Sequence, residues 1–526
     1  ESPVLPNDLS IKFPSIRTFT GIGIDDSAEL VSFTVSDKKC SAMIHSKKGN
    51  IFITHDENYY YRVSYTEINS NDQYYNCDNN LVLLRDDTRS EDFGECIGND
   101  IPCYNIGEKL VTYRIAMIMT EAVTNSVADG TVEGGMTWIA SMVNQLNLLW
   151  RRELGFQFEL IPNNEILVFT DSNPVPKGED GFGDTNPATY CSTYDDPKYC
   201  EMNNVEPYLE SVIGIGGLNA PDDTRLWEYG LVLHTTYNGG VAQAPGPISA
   251  NNPTYEVLNH ELGHNLGSAH NISIEVGLGS SLGGTIMGSR TRTINGGSGD
   301  QYTLHTIEIA YKNYSTLPYD VAYGDEYAYL KGYLNSETNN VVPELSVPSS
   351  GFSIPKETPF ILEGGATPTN DNYLFSWEQN DASSSSFCMD LTNSSDECSP
   401  PLCGGEGGTC VDWPSDEGPL FSTIDLNNNG SMRYFPAMSS LLNNQYSTTY
   451  DDYGTILTVE RLPFGTRELN MRLQVRTNEL EGGSVNFKNV QFLVDGDSGP
   501  FRVTSQSEST SWNSQSTQTI TWDVAN

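Results

Sequence analysis

Residues 260–270 read His260-Glu261-Leu262-Gly263-His264-Asn265-Leu266-Gly267-Ser268-Ala269-His270. On a helix, His260 and His264 lie one turn apart on the same face, so both imidazoles can bind one metal ion. Gly267 can take backbone angles that other residues resist, which lets the chain leave the helix and bring back His270 as a third ligand. Three protein ligands leave the fourth tetrahedral position open, which is typical of a catalytic zinc site.

Glu261 is the candidate catalytic residue of this motif. It follows the first histidine directly, where a carboxylate can accept a proton from an attacking water. The shorter pattern H-E-x-x-H also arises by chance in long chains. The added Gly267 and His270 argue against an accident.

A second motif follows at residues 284–288, which read Gly284-Thr285-Ile286-Met287-Gly288. It resembles the Met-containing turn that follows the histidine motif in metzincins, and we expect Met287 to pack beneath the site without binding the metal. With residues 261–267, this turn resembles the adamalysin/reprolysin-like branch of metzincin zinc endopeptidases, especially secreted bacterial multidomain precursors. The resemblance implies an α+β catalytic domain with a mixed twisted sheet and an active-site helix, one zinc ion, and hydrolysis of peptide bonds in proteins or peptides.

The sequence departs from that family's pattern at two places. Asn271 follows the third histidine where adamalysins usually carry aspartate. No tyrosine closely follows Met287, so the additional tyrosine ligand of astacin-like and serralysin-like enzymes is not expected. We therefore predict a site with three histidine ligands.

Two other classes of protein remain open from the sequence. One is a zinc-containing adhesin or binding protein with an inactive protease-like domain, although such a protein has no structural need for Glu261. The other is a thermolysin-like zinc hydrolase with a distant glutamate as third ligand, against which His270 and Met287 argue.

The chain is strongly acidic, with 28 Lys and Arg against 69 Asp and Glu and a formal net charge of −41 over 526 residues. Such a surface repels nucleic acids and anionic membranes. No apolar run approaches the roughly 20 residues that span a bilayer. Structural Ca²⁺ sites are conceivable among the many Asp and Asn, but plain solvated acidity is the simpler interpretation, because the loop-like stretch 425–430 lacks the closing glutamate of an EF-hand.

The ten cysteines favour disulfides in a secreted protein, with Cys191 paired to Cys200, Cys96 to Cys103, and a group of four. The members of that group are Cys388, Cys398, Cys403 and Cys410. The connectivity inside the group stays open, and the oligomeric state cannot be deduced. Because the chain starts at Glu1 and stops after a strand-like run at 517–524, we expect it to be a fragment of a longer secreted precursor.

Four regions are predicted: a β-rich propeptide-like domain at 1–104, the catalytic domain at 105–318, a β-sandwich module at 319–497, and the start of a further β module at 498–526. The resemblance implies that the first region precedes the catalytic domain as a propeptide. A cysteine thiolate of a propeptide can occupy the open zinc position, and Cys77 is the candidate for this latency. A Cys40–Cys77 disulfide is the equally favoured alternative.

Periodicity predicts the elements of the catalytic region. Strands are expected at 111–118, 156–161, 166–170 and 230–236. The resemblance to metzincins implies that the last of these is the edge strand that borders the substrate cleft. Helices are expected at 133–152, from about 253 through the motif with Thr254 or Asn252 as cap, and at 303–314. His234 and His305 are interpreted as structural residues. The stretch 343–355 is predicted to be a linker, and the modules beyond it to be spacers or stabilising elements.

Overall fold

The computed structural model describes residues 2, 4–27, 29–46, 49–55, 61–65, 106–176, 197–217, 224–235, 239–268, 285–287, 301–316, 328–381, 420, 421, 423, 426, 430–452, 455–505 and 510–524. Within these ranges the chain combines α-helices with several β-sheets. None of the helices in them is long and apolar enough to cross a membrane.

The N-terminal residues form an antiparallel sheet whose neighbouring strands follow one another along the chain. A short helix, α1 (Asn7–Lys12), precedes the five strands, which are β1 (Arg17–Ile22), β2 (Leu30–Val35), β3 (Cys40–Ser46), β4 (Gly49–His55) and β5 (Tyr61–Tyr65). Residues along β2 alternate between more and less buried positions, as expected when one face of a sheet is covered.

A central mixed sheet follows, built from β6 (Lys109–Met119), β7 (Phe156–Leu160), β8 (Tyr229–Leu233), β9 (Gly240–Ala242), β10 (Ile248–Asn251) and β11 (Leu334–Glu337). Its strand order is β11-β6-β8-β10-β9, and β7 also pairs with β6. Pairing is parallel between β6 and β7, β6 and β8, and β8 and β10, whereas β9 and β11 are antiparallel to their neighbours. Because β11 joins this sheet, the sheet extends beyond residue 318.

The helices of the central region are α2 (Glu121–Val127), α3 (Val132–Leu154), α4 (Pro197–Val212), α5 (Tyr255–Asn265) and α6 (Leu304–Thr316). Thr131 caps α3 by accepting a hydrogen bond from the Gly134 amide at 3.0 Å, and Gly155 ends the helix at a φ of 63°. The apolar stripe of α3 is buried in the core, which confirms the helix that periodicity predicted at 133–152.

The described residues of the C-terminal part form mostly short strands and include the helix α7 (Met438–Leu442). Its strands are β12 (Glu344–Ser346), β13 (Ser353–Pro355), β14 (Phe360–Leu362), β15 (Gly365–Thr367), β16 (Tyr373–Gln379), β17 (Arg433–Phe435), β18 (Ser447–Asp452), β19 (Thr455–Arg461), β20 (Arg467–Thr477) and β21 (Val485–Asp495). Four of them form a sheet in the order β13-β21-β20-β16 over a separate buried cluster. Two further short strands, β22 (Arg502–Val503) and β23 (Trp522–Asp523), pair with each other.

The largest buried cluster joins all three regions. It is centred on the central sheet and α3, and it also contains Val4, Leu9 and Met43 from the N-terminal part and Val485 and Phe487 from β21. The N-terminal sheet packs on α3 through β1, β2 and β3. Both flanking regions therefore share buried apolar surface with the central one, and this sharing couples their stabilities.

Two predictions for particular segments were wrong. The strand predicted at 166–170 is not formed as such: residues 164–167 form a 3₁₀ turn, in which the Asn164 side chain binds both backbone groups of Met117, and beyond it Val168 makes an isolated parallel bridge to Met119. The stretch 343–355 is not a free linker, since its ends form β12 and β13, and β13 pairs with β21 in the four-stranded sheet.

Candidate functional site

The motif helix α5 begins and ends where local signals predicted. The hydroxyl of Thr254 accepts a hydrogen bond from the Val257 amide at 3.4 Å, as an N-cap residue should. After Asn265 the chain turns away at Gly267, whose φ of 98° lies in the region that favours glycine. Every residue of α5 from Val257 to Asn265 is buried, so the motif sits inside the protein.

The side chains of His260 and His264 converge on a common point. Their Nε2 atoms lie 3.1 Å apart, and their rings are nearly perpendicular at 87°. The Nδ1 atom of His260 lies 2.8 Å from the carbonyl oxygen of Ile286, and that of His264 lies 2.7 Å from the carbonyl oxygen of Ser268. Each ring is thus held by a backbone acceptor on the side opposite to the point where the two rings meet.

This arrangement fits a shared metal ion. A carbonyl oxygen only accepts, so each Nδ1 carries the proton and each neutral ring presents a lone pair at Nε2. Two such lone pairs facing each other are repulsive unless a cation lies between them. Zinc held at about 2.0–2.1 Å from two nitrogens in tetrahedral geometry would separate them by about 3.3–3.4 Å, close to the observed spacing.

Burial lowers the pKa of His260, against the opposing effect of its hydrogen bond to the Ile286 carbonyl. The lower pKa favours the neutral ring, which is the form that binds a metal. A backbone carbonyl behind a ligand histidine is also the usual device that fixes its tautomer and orientation.

Glu261 is buried and packs against the last strand of the central sheet. An alanine Cβ built at Gly240, the first residue of β9, would lie 2.6 Å from the Glu261 Cγ and 2.7 Å from its Oε1. Glycine at position 240 therefore leaves room for the Glu261 side chain, which any larger residue would displace.

The prediction that residues 230–236 form an edge strand was wrong for the part that the structure describes as a strand, Tyr229–Leu233. Strand β8 lies between β6 and β10 and is buried at all five positions, as is typical of an interior parallel strand. Among the described residues the outermost strand on this side is β9, and it is β9 that contacts Glu261. His234, directly after β8, is buried, in keeping with a structural role.

Met287 lies beneath the motif helix. It is fully buried, and a Cβ added at Gly263 would lie 2.3 Å from its Sδ atom. The same turn supplies the Ile286 carbonyl that orients His260. The turn therefore both supports the helix from below and fixes one of the two described histidines.

Sequence reasoning missed the residues that anchor the helix. The Asn259 side-chain oxygen accepts from the Trp150 indole of α3 at 3.2 Å, and its backbone oxygen accepts from the Tyr302 hydroxyl at 2.7 Å. The Asn265 amide group donates to the carbonyl oxygens of Gln243 and Ile248, both at 3.0 Å, which ties the end of α5 to the hairpin of β9 and β10. A buried Asn on each side of the histidines was the one available signal.

The N-terminal sheet reaches the start of the same helix. Tyr255, the first residue of α5, makes edge-on ring contacts with Phe52 of β4 and His45 of β3, and its hydroxyl lies 3.4 Å from the His45 Nε2. This contact places the region expected to act as propeptide against the motif helix, nine residues before His264.

Several predicted site residues lie outside the described residues, namely His270, Asn271 and Cys77. Each predicted disulfide also includes at least one cysteine outside them, and Cys40 is recorded as a free cysteine. Within the described ranges no group of three or more His, Cys, Asp or Glu side chains is placed to hold a metal ion. The pair His260 and His264 is what the structure brings together.

Neither a scan against protein-family models nor a search of curated proteins found a match for this chain.

Proposed function

We propose that the chain is a secreted zinc-dependent endopeptidase of the adamalysin/reprolysin-like metzincin type. The observation that carries the proposal is the pair of buried imidazoles with Nε2 atoms 3.1 Å apart and both Nδ1 atoms held by backbone carbonyls. Buried polar side chains are normally satisfied by protein partners. Here two rings are oriented so that their Nε2 atoms face one point, an arrangement that supports a metal ion bound between them.

His260, His264 and His270 would hold the zinc ion. A zinc ion bound there would polarise the scissile carbonyl and would lower the pKa of the attacking water, so that this water can lose a proton near neutral pH. The chain's own residues do the rest: the Glu261 carboxylate accepts the proton of the attacking water and later delivers it to the leaving amine. Its burial against Gly240 fixes the direction from which it acts.

The substrates are proteins or peptides in extended form. Strand β9 is the outermost strand of the sheet among the described residues and lies against Glu261, although its three residues are buried. A peptide that paired with its outer edge, once that edge is uncovered, would pass beside Glu261. The acidic surface, with its net charge of −41, argues against nucleic acid as a partner.

A latent precursor is part of the proposal. Strands β1, β2 and β3 pack on α3, and residues of β3 and β4 contact Tyr255 at the start of the motif helix. A region that shares core surface with the catalytic part can hold Cys77 near the site, although Cys77 itself is a prediction from sequence alone.

The inactive binding protein remains the second candidate. It accounts for the two histidines as a structural metal site, but it gives no reason for a buried carboxylate that occupies space reserved by a glycine of the edge strand.

The decisive experiment replaces the base and keeps its shape. In Glu261→Gln, peptide hydrolysis should fall by about 10²–10⁴-fold, since this is the typical contribution of a general base. Bound zinc, measured per chain, should be unchanged. Glu256→Gln, which neutralises another carboxylate in the first turn of the same helix, is the matched control and should retain activity.

Full hydrolysis by Glu261→Gln would overturn the mechanism. If the unmodified chain binds zinc and, after cleavage behind residue 104 by a second protease, keeps its native circular-dichroism spectrum and its zinc but hydrolyses no peptide, the binding-protein interpretation is the correct one.

A further inference from the structure

The β-sandwich module meets the central region at a buried contact between charged residues. Arg476 of β20 is completely buried, and its Nε donates to the Glu153 carboxylate near the end of α3 at 2.7 Å. A second ion pair crosses the same interface, from Arg472 of β20 to Glu308 of α6 at 3.1 Å. Charges are costly to bury, so an interface that buries two such pairs requires well-defined geometry.

The guanidinium of Arg476 holds three groups at once. Besides Glu153, it donates to the Gln474 side-chain oxygen at 2.5 Å and to the backbone oxygen of Tyr302 at 2.8 Å. The planar fork of an arginine fixes the relative positions of its acceptors. Arg476 therefore holds the Tyr302 backbone against the sandwich module, and Glu378 of β16 accepts from the Leu304 amide at 3.2 Å two residues further on.

Tyr302 also contacts the motif helix α5. Its amide donates to Glu153 at 3.3 Å, and its hydroxyl donates to the backbone oxygen of Asn259, the residue before His260, at 2.7 Å. Burial raises the pKa of Tyr302 well above its ordinary value of 10.0, so the hydroxyl stays protonated and remains a donor. Tyr302 therefore connects β20 to α5, through its backbone oxygen on one side and its hydroxyl on the other.

The neighbouring residue reaches the histidine by a second route. The backbone oxygen of Gln301 accepts from the Ile286 amide at 2.9 Å, and the Ile286 oxygen in turn accepts from the His260 Nδ1 at 2.8 Å. Segment 301–302 thus fixes both the helix that carries His260 and the carbonyl that orients its ring.

We propose that Arg476, in the β-sandwich module, is a positioning residue for the zinc site, acting through segment 301–302 on His260. The module is thereby a working part of the metal centre and more than a spacer. This inference rests on the proposed function in that it takes zinc as the ligand of His260 and His264. It also accounts for the two routes that converge on His260 from one buried cation.

The test measures zinc affinity on the full chain of 526 residues. Zinc Kd is determined by competition with a chromophoric chelator for the unmodified chain, Arg476→Met, Arg472→Met and Tyr302→Phe. Arg472→Met is the matched control, because it breaks an equally buried ion pair of the same strand and interface that does not contact segment 301–302.

We expect Arg476→Met to raise the zinc Kd about 10–100-fold, the range found when partners behind metal ligands are removed. Tyr302→Phe keeps the ring and loses one hydrogen bond, so its Kd should rise by about three- to tenfold. Arg472→Met should lower the thermal midpoint as Arg476→Met does, yet leave the Kd within twofold of the unmodified chain.

Equal zinc affinity in Arg476→Met and Arg472→Met would overturn the inference, whatever their stability. Arg476→Lys decides where Arg476→Met does not fold, since lysine keeps a cation for Glu153 but cannot hold Tyr302 with the same fork. An unmodified chain that binds no zinc would instead overturn the proposed function. If the unmodified chain binds zinc and the Arg476 variants have the same zinc Kd, this inference alone is overturned.

Discussion

Gly240→Ala should disable the proposed general base without touching the metal ligands. Gly240 is not among the residues with positive φ, so alanine meets no backbone strain at this position. Its Cβ would, however, lie 2.6 Å from the Glu261 Cγ and 2.7 Å from Oε1. Carbon atoms in contact normally stay about 3.5–4.0 Å apart, so the Glu261 side chain must move by about 1 Å.

The size of the effect follows from that displacement. A misplacement of about 1 Å in a catalytic group costs about 100-fold in rate. The rings of His260 and His264 are held by carbonyls of Ile286 and Ser268, which β9 does not supply, so bound zinc should be unaffected. The expected outcome is a drop of about 100-fold in kcat/KM at unchanged zinc content.

The assay is hydrolysis of an internally quenched peptide at saturating zinc, with metal content measured on the same samples. Gly365→Ala, in β15 of the sandwich module, is a control whose added methyl group meets only Ser346 Oγ at 3.2 Å. Glu261→Ala removes the Cγ and Oε1 atoms that the added methyl group would meet, so Gly240→Ala should reduce the residual activity no further in that background. Activity of Gly240→Ala within threefold of the unmodified chain, or an equal loss in both backgrounds, would refute the reasoning.

Two further predictions concern stability and latency. Desolvation raises the pKa of Glu378 above its ordinary value of 4.5, against the opposing effects of Gln474 and Arg476. The contribution of the protonated side chain to the free energy of unfolding is therefore fully present below pH 4.5 and is lost as the pH rises through the raised pKa. Glu378→Gln should therefore stabilise the protein more at pH 8 than at pH 4 in urea unfolding, and an equal difference at both pH values would contradict this sign. Cys77→Ser should increase peptide hydrolysis by the full chain if Cys77 caps the metal, with Cys40→Ser as control; unchanged activity in Cys77→Ser would leave the latency hypothesis without support.

The parts of the site that sequence could predict are those with local causes. The start of α5 at a threonine cap and its exit at Gly267 depend on neighbours within four residues, and both are as predicted. The spacing of His260 and His264 places their rings together for the same reason. Fold elements with a strong helical period, such as α3, belong to this group as well.

The parts that sequence could not predict depend on distant pairing. The exposed or interior position of a strand is a property of the whole sheet, so β8 was mistaken for the edge strand although its continuous apolar run is typical of an interior one. The ion pair of Glu153 with Arg476 joins residues 323 positions apart, and no local pattern connects them. Likewise the contact between the His260 Nδ1 and the Ile286 carbonyl joins residues 26 positions apart, and no local pattern predicts it.

The positions of His260 and His264 depend on how firmly the backbone of α5 is held. The residues that hold this backbone are not themselves proposed metal ligands. The Asn259 side chain accepts from the Trp150 indole on α3 and donates to the Tyr255 backbone oxygen, while the Asn265 side chain donates to the backbone oxygens of Gln243, just after β9, and of Ile248 in β10. An amide side chain can donate and accept, so a buried asparagine can tie the helix to a neighbouring element that a hydrophobic residue could only pack against. For this reason we expect the two asparagines, more than the apolar positions of α5, to limit how far the motif helix can move when the site binds its ligand.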